Sequence, residues 1–355
     1  MKRRNFLLGA AAGAALGAWP LASTASPVGA RDLPARRAGT GPAAGIPSSR
    51  LLILVELQGG NDAWNTVIPY AEPAYRRLRP TLAIPRDQVV QLDRQRGLHP
   101  ALAGLLPAWQ AGELAVVEGV GCPAANLSHF RAQQIGATAS AADAYRDDGW
   151  VARALTQDGQ ARTAWQVNGE AGPLWTLDTQ LHVIAADAVD TARPACTQAF
   201  ATALQAALAS RDMPMAAIKL TMPGFDTHHA QTPIHARLLG ELATGLSVLR
   251  DGLRKAGRWD ETLVMTYGEF GRRPAQNADG GTEHGAVSAQ LLLGGRVAGG
   301  FHGAPLVFDR LDGAGDAIPA VDFRSVYASV LWQWWRRDPQ SVLGGRFDRL
   351  PLLRV

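Results

Sequence analysis

The sequence predicts a doubly wound α/β fold: a mostly parallel sheet with helices on both faces. Three observations carry that expectation. Short apolar runs bounded by turn residues recur along the chain, as strands buried on both faces require. Stretches with apolar residues at every third or fourth position lie between them, so strands alternate with helices. Carboxylates, histidines or a hydroxyl adjoin each apolar run, and an open parallel sheet binds its ligands at the carboxyl ends of its strands.

The chain opens with "MKRRNFLLGAAAGAALGAWPLASTASPVGA". Arg3-Arg4, an Ala- and Gly-rich apolar run and small residues near Ala25 and Ala30 read as a twin-arginine export signal over residues 1–30. The run is short and poor in Leu and Ile for a spanning helix, although an uncleaved N-terminal anchor is the alternative. The reading implies the twin-arginine translocase as a partner during export, a periplasmic or extracellular destination and no stable membrane span after cleavage. Residues 31–49 lack periodicity and read as a linker, leaving residues 50–355 as one domain. Of the net charge of +4, Lys2, Arg3 and Arg4 carry most, and the remainder is close to neutral. No basic run with interleaved aromatics is present, so nucleic acid is not a predicted partner. The two cysteines, Cys122 and Cys196, suit either a disulfide or two buried thiols.

The first strand, 51–57, runs into Gly59-Gly60-Asn61-Asp62. Asp62 fits a turn, or a carboxylate at the mouth of a sheet. The second, "LAVVEGV" at 114–120, leads to Ser128 and His129, where a helix should start. Ser is a common N-cap, and a hydroxyl there also meets the positive end of the helix dipole. The third, "MAAIKLTM" at 215–222, leads to Asp226, His228 and His229. Behind them, 231–255 carries one apolar stripe of Ile234, Leu238, Leu242, Leu246, Leu249 and Leu253. The fourth, "TLVMTYG" at 262–268, leads to Glu269, while Glu283 and His284 precede the fifth, "AQLLLGG" at 289–295. A second helix is expected over 322–335, its Trp residues in the core, and the weaker 139–192 reads as an insertion. His99, His182, His235 and His302 are read as structural.

Asp, Glu and His form the ligand set of divalent ions such as Zn, Mn, Mg or Ca. Beside a hydroxyl at a helix start, they suit metal-assisted phosphoryl or sulfuryl hydrolysis, in which one or two ions activate the nucleophile and screen charge. "GGND" and "DTHH" also suggest a serine esterase, but no serine motif precedes Asn61, so the order is wrong.

The motifs "LVELQGGNDAWN", "SHF", "GFDTHHAQ", "EFGRR" and "GTEHG", in this order, resemble the exported bacterial family named domain of unknown function 1501. That family resembles the alkaline phosphatase and sulfatase superfamily. The resemblance implies an alkaline phosphatase-like fold, with Ser128 as nucleophile and a small-molecule or polymer ester as substrate. It also implies metal binding by Asp62, Asp226, His228, Glu269 and His284, with Asn61 or His129 contacting a bound oxyanion. Phe270 stands where the superfamily has a ligand, Asp226 and His228 are closely spaced, and Glu283 replaces the usual Asp. A full two-ion site, a single ion, and a non-catalytic exported binding or assembly protein with a degenerate metal site all fit the pattern.

Overall fold

The computed structural model describes residues 46–47, 49–185, 195–210, 215–309 and 311–354. The leader and nearly all of the linker lie outside them.

The main sheet contains β1 (Leu51–Leu57), β2 (Leu114–Gly121), β3 (Arg162–Gln166), β4 (Leu181–Ala185), β5 (Met215–Met222), β6 (Thr262–Tyr267), β9 (Val287–Leu293) and β10 (Gly300–Gly303). Their spatial order is β10-β2-β9-β6-β1-β5-β3-β4, and a short β11 (Val321–Asp322) joins β2. β1 pairs parallel with β5 and β6, and β3 pairs parallel with β4 and β5. β9 alone runs antiparallel to its neighbours β2 and β6. The expected mixed α/β architecture is therefore present.

Each face of the sheet has its own core. Leu51, Ile53, Val55 and Leu57 of β1 enter one core, and Leu52 and Leu54 enter the other. This is the period of two that a pleated strand imposes. The first core is closed by α5 (Ala195–Ala209) and α6 (Gln231–Lys255). The second is closed by α4 (Trp150–Thr156), α7 (Phe323–Gln333) and part of α3 (His129–Thr138). The α6 stripe packs as its spacing predicts: Leu238, Leu242, Leu246, Leu249 and Leu253 are buried. Truncating Leu242 to Ala there should cost about 2–5 kcal/mol. Trp334 and Trp335, just past α7, are buried in the second core.

Two expectations need correction. The fifth apolar run is shifted to Val287–Leu293 and is antiparallel. After β6 the chain forms a hairpin of β7 (Gly271–Gln276) and β8 (Thr282–Gly285), and only Ala286 separates β8 from β9. The hairpin fills that connection at the carboxyl end of β6, so β9 enters from the same end and runs back beside β6. Residues 139–185 are also no insertion, because β3 and β4 extend the main sheet to its edge and α4 packs in the second core, while 186–192 lie outside the described residues. Cys122 and Cys196 are free thiols on opposite sides of the sheet. Pro42–Val355 forms one compact unit.

Candidate metal centre

The glycines after β1 answer the question that the first strand raises. Gly59 has φ +116°, and a Cβ there would lie 2.3 Å from the backbone nitrogen of Asp226. Gly60 has φ +81°, and its Cβ would strike the Phe270 ring at 2.5 Å. Only glycine tolerates both the conformation and the approach. The bared backbone then grips side chains from distant segments. The Gly59 N–H donates to Glu269 Oε1 at 2.9 Å, and the Gly60 carbonyl accepts from Arg272 Nε at 2.8 Å.

Three ligand-bearing side chains converge here: His129 at the start of α3, Asp226 after β5, and His284 on β8. One donor atom from each lies within 4.8 Å of the others. His129 Nε2 is 3.4 Å from Asp226 Oδ2, and His284 Nε2 is 3.1 Å from Asp226 Oδ1. The far nitrogen of each ring is engaged. His129 Nδ1 is 2.9 Å from Glu269 Oε1, and His284 Nδ1 is 2.9 Å from the Leu127 carbonyl. Both partners are acceptors, so each Nδ1 carries a hydrogen, and each Nε2 is turned toward the Asp226 carboxylate. A proton on Nε2 or a metal ion satisfies such a contact. Metal-binding histidines are oriented from behind by a carboxylate or a carbonyl in the same way. The donor set thus fits one divalent ion.

Arg272, on β7 and paired across the hairpin with His284, was not anticipated from the sequence. Its side chain is fully buried, and Nη2 donates to Asp226 Oδ1 at 2.6 Å. It also donates to the carbonyls of Thr282, Phe225, Gly60 and Gly59. Partial burial opposes charge on Asp226, but the hydrogen bond and charge of Arg272 outweigh it and hold its carboxyl at about 2. The guanidinium's donors are occupied, so it fixes and charges the centre instead of reaching for a substrate.

The other expected residues fall around this group or away from it. His228 flanks it, with Nε2 at 3.0 Å from both Asp226 Oδ1 and His284 Nε2. Its pKa is lowered, first by burial and then by the charge of Arg272. Glu269 is not among the converging donors. Its side chain is fully buried behind His129, and Oε2 has no hydrogen-bond partner. His229 is exposed. Phe270 is a wall, with its ring centroid 4.9 Å from that of His129 and 4.4 Å from that of His284.

Asp62 corrects the expectation of a first metal carboxylate. Its side chain is fully buried, and it accepts from Arg79 Nη1 at 2.5 Å and Nη2 at 3.0 Å. Gln231 and the Trp64 N–H take up the rest, and the latter bond caps the short α1 (Ala63–Thr66). Burial opposes its charge, yet Arg79 keeps its pKa lowered. A guanidinium holds the place where the resemblance puts an ion. Asn61 is likewise committed inside, to Thr66 Oγ1 at 3.0 Å and His235 Nε2 at 2.9 Å, and does not face the centre.

Ser128 is the N-cap residue of α3, but its side chain makes no capping bond, and the residue is exposed. Its hydroxyl is therefore free at the positive end of a helix whose next residue is His129.

Residues 152–306 match the sequence model of the family described as "Protein of unknown function (DUF1501)", which bears out the resemblance drawn from the motifs. A search of curated proteins gives no match. Among solved structures, the chain is similar to a protein in the alkaline phosphatase superfamily from Vibrio parahaemolyticus, at 11% identity and a TM-score of 0.46, covering 86% of this chain and 71% of that one. The lipoteichoic acid synthase LtaP from Listeria monocytogenes matches at 11% identity and a TM-score of 0.42, covering 71% and 67%. The C-terminal periplasmic domain of EcEptC from Escherichia coli, in complex with Zn, matches at 11% identity and a TM-score of 0.40, covering 71% and 74%.

Proposed function

We propose that this chain is an exported metal-dependent hydrolase of phosphate or sulfate esters, with Ser128 as nucleophile. The observation that carries the proposal is the pair of histidines held from behind by Glu269 and the Leu127 carbonyl, so that the Nε2 atoms of both converge on Asp226. His129, Asp226 and His284 would hold one divalent ion, with His228 beside it. Such an ion screens charge on the transferring group and eases loss of the hydroxyl proton. Arg272 supplies a fixed positive charge in place of a second ion. The free N–H groups of the first turn of α3, next to Ser128, favour an anion there. His129 stays fixed because Glu269 is itself tied to the Gly59 N–H.

The twin-arginine leader supports a periplasmic or extracellular location. No helix among the described residues is long and apolar enough to cross a membrane.

One observation favours a second reading. Arg79 and Arg272 already pair with Asp62 and Asp226, as they would in an exported binding or assembly protein whose metal site has degenerated. A screen of phosphate monoesters, phosphate diesters and sulfate esters, with and without Zn, Mn, Mg and Ca, separates the two. Metal-dependent turnover that Ser128→Ala abolishes supports the hydrolase. Bound metal without turnover of any ester supports the binding protein.

A further inference from the structure

A second built feature lies along α3, beyond the metal centre. A cleft of about 310 Å³ opens beside Gln134, Ala137 and Thr138 of that helix. One wall carries Arg146 and Asp147, and the other runs from Glu170 to Trp175. Both walls are pinned. The Gly149 N–H donates to the Trp175 carbonyl at 2.8 Å, and a Cβ on Gly149 would lie 2.1 Å from the Pro173 carbonyl oxygen. The buried Lys219 ammonium donates to the Glu170 carbonyl at 2.6 Å. Arg131 donates to the carbonyls of Ala142 and Ala144, which anchors the segment leading to Arg146.

The charged side chains on these walls have no charged partner among the described residues, although the Arg146 guanidinium packs against Gly344. Arg146, Asp147 and Glu170 form no ion pair or side-chain hydrogen bond among the described residues. Trp175 is 54% exposed although its backbone is bonded on both sides. The indole is thus open to a ligand lying in the cleft.

We infer that this cleft binds a neutral sugar ring, as the remote part of the ester substrate. The charges decide the class. One guanidinium and two carboxylates repel a polyanion, and Arg146 opposes a simple cation. Donors and acceptors together, with an apolar aromatic face, match a ring that carries hydroxyls on its rim and C–H groups on its faces. Ser128 and Gln134 are six residues apart along α3, about 9 Å at ~1.5 Å per residue. Gln133, beside Gln134, donates to Glu269 Oε1 at 3.4 Å, so the cleft lies next to the helix face that bears His129, and an extended ester substrate would span both. That link to the substrate rests on the hydrolase reading, but sugar binding itself does not.

Saturation-transfer NMR on the full chain, with cellotriose and chitotriose as probes and EDTA present, tests the inference. At least one probe should bind. Trp175→Ala should weaken it about tenfold or more, Arg146→Ala should weaken it too, Trp175→Phe should restore part of the loss, and Asp226→Asn should leave it unchanged. Circular dichroism confirms that each variant is folded. Absence of binding by both probes overturns the inference, as does binding that Trp175→Ala and Arg146→Ala leave intact. Self-association that Trp175→Ala abolishes would also overturn it, in favour of a protein-binding face. Sugar binding without turnover of any ester leaves the cleft standing and sinks the hydrolase. Ester turnover without sugar binding does the reverse.

Discussion

Asp62 and Asp226 look alike in the sequence, each a carboxylate just past a strand, yet the structure gives them opposite work. Asp62→Asn and Asp226→Asn should therefore fail in opposite ways. Asp62 and Arg79 are both fully buried and joined by two hydrogen bonds. Removing one charge leaves a buried guanidinium with no carboxylate, a loss of about 3–5 kcal/mol. In a domain of this size that lowers the melting temperature by roughly 5–15 °C. The Asp226 side chain is 45% exposed, so solvent screens its pairing with Arg272, and Arg272 keeps its backbone acceptors. Its loss should cost only about 1 kcal/mol. Metal content should move the other way: retained in Asp62→Asn and lost in Asp226→Asn. Calorimetry and elemental analysis on the same preparations provide both readings. An Asp62→Asn protein that melts like the parent but has lost its metal would refute the reasoning.

Ser128→Ala should abolish ester hydrolysis with an unchanged melting temperature, because the hydroxyl makes no capping bond; a variant active at the parent rate removes Ser128 from the mechanism. Glu269→Gln should loosen His129 and lower metal affinity about 10–100-fold, read by chelator competition. His229→Ala should leave stoichiometry unchanged, since that residue is exposed and outside the converging donors. Burial holds His235 and His99 neutral, at about 3 and about 4. Both values lie below those of the unfolded chain, so the unfolded state takes up protons first as the medium acidifies. Their contribution to stability is full above pH ~6.5 and is lost progressively as pH falls toward 3. Denaturant midpoints between pH 7 and 4 should fall, and less steeply in His235→Gln.

The sequence made the architecture legible wherever a period was strong. β1, β5 and α6 lie where the apolar runs and the Leu stripe place them. The direction of β9 was not legible, because it depends on the β7–β8 hairpin that fills the preceding connection and not on any apolar pattern. Asp226 and His284 were legible as candidate ligands because Asp and His beside strand ends suit a metal site. Asp62 misled because a carboxylate that binds an ion and one that binds a guanidinium look alike in sequence, and Arg79 is 17 residues away. His129 was expected at the oxyanion but converges with Asp226 and His284, since the first turn of α3 aims it inward. Arg272 was missed because arginine usually lies at the surface. The doubled Arg in "GRR" gave a signal, because adjacent strand residues face opposite ways and one of the two must point in.

The account turns on one ion held by His129, Asp226 and His284, with Arg272 in place of a second. Elemental analysis of protein purified from the exported fraction, beside its Asp226→Asn variant, tests that most directly. The account predicts one divalent ion per chain in the parent and essentially none in the variant. Two ions per chain, none at all, or a content that the substitution does not change would contradict it.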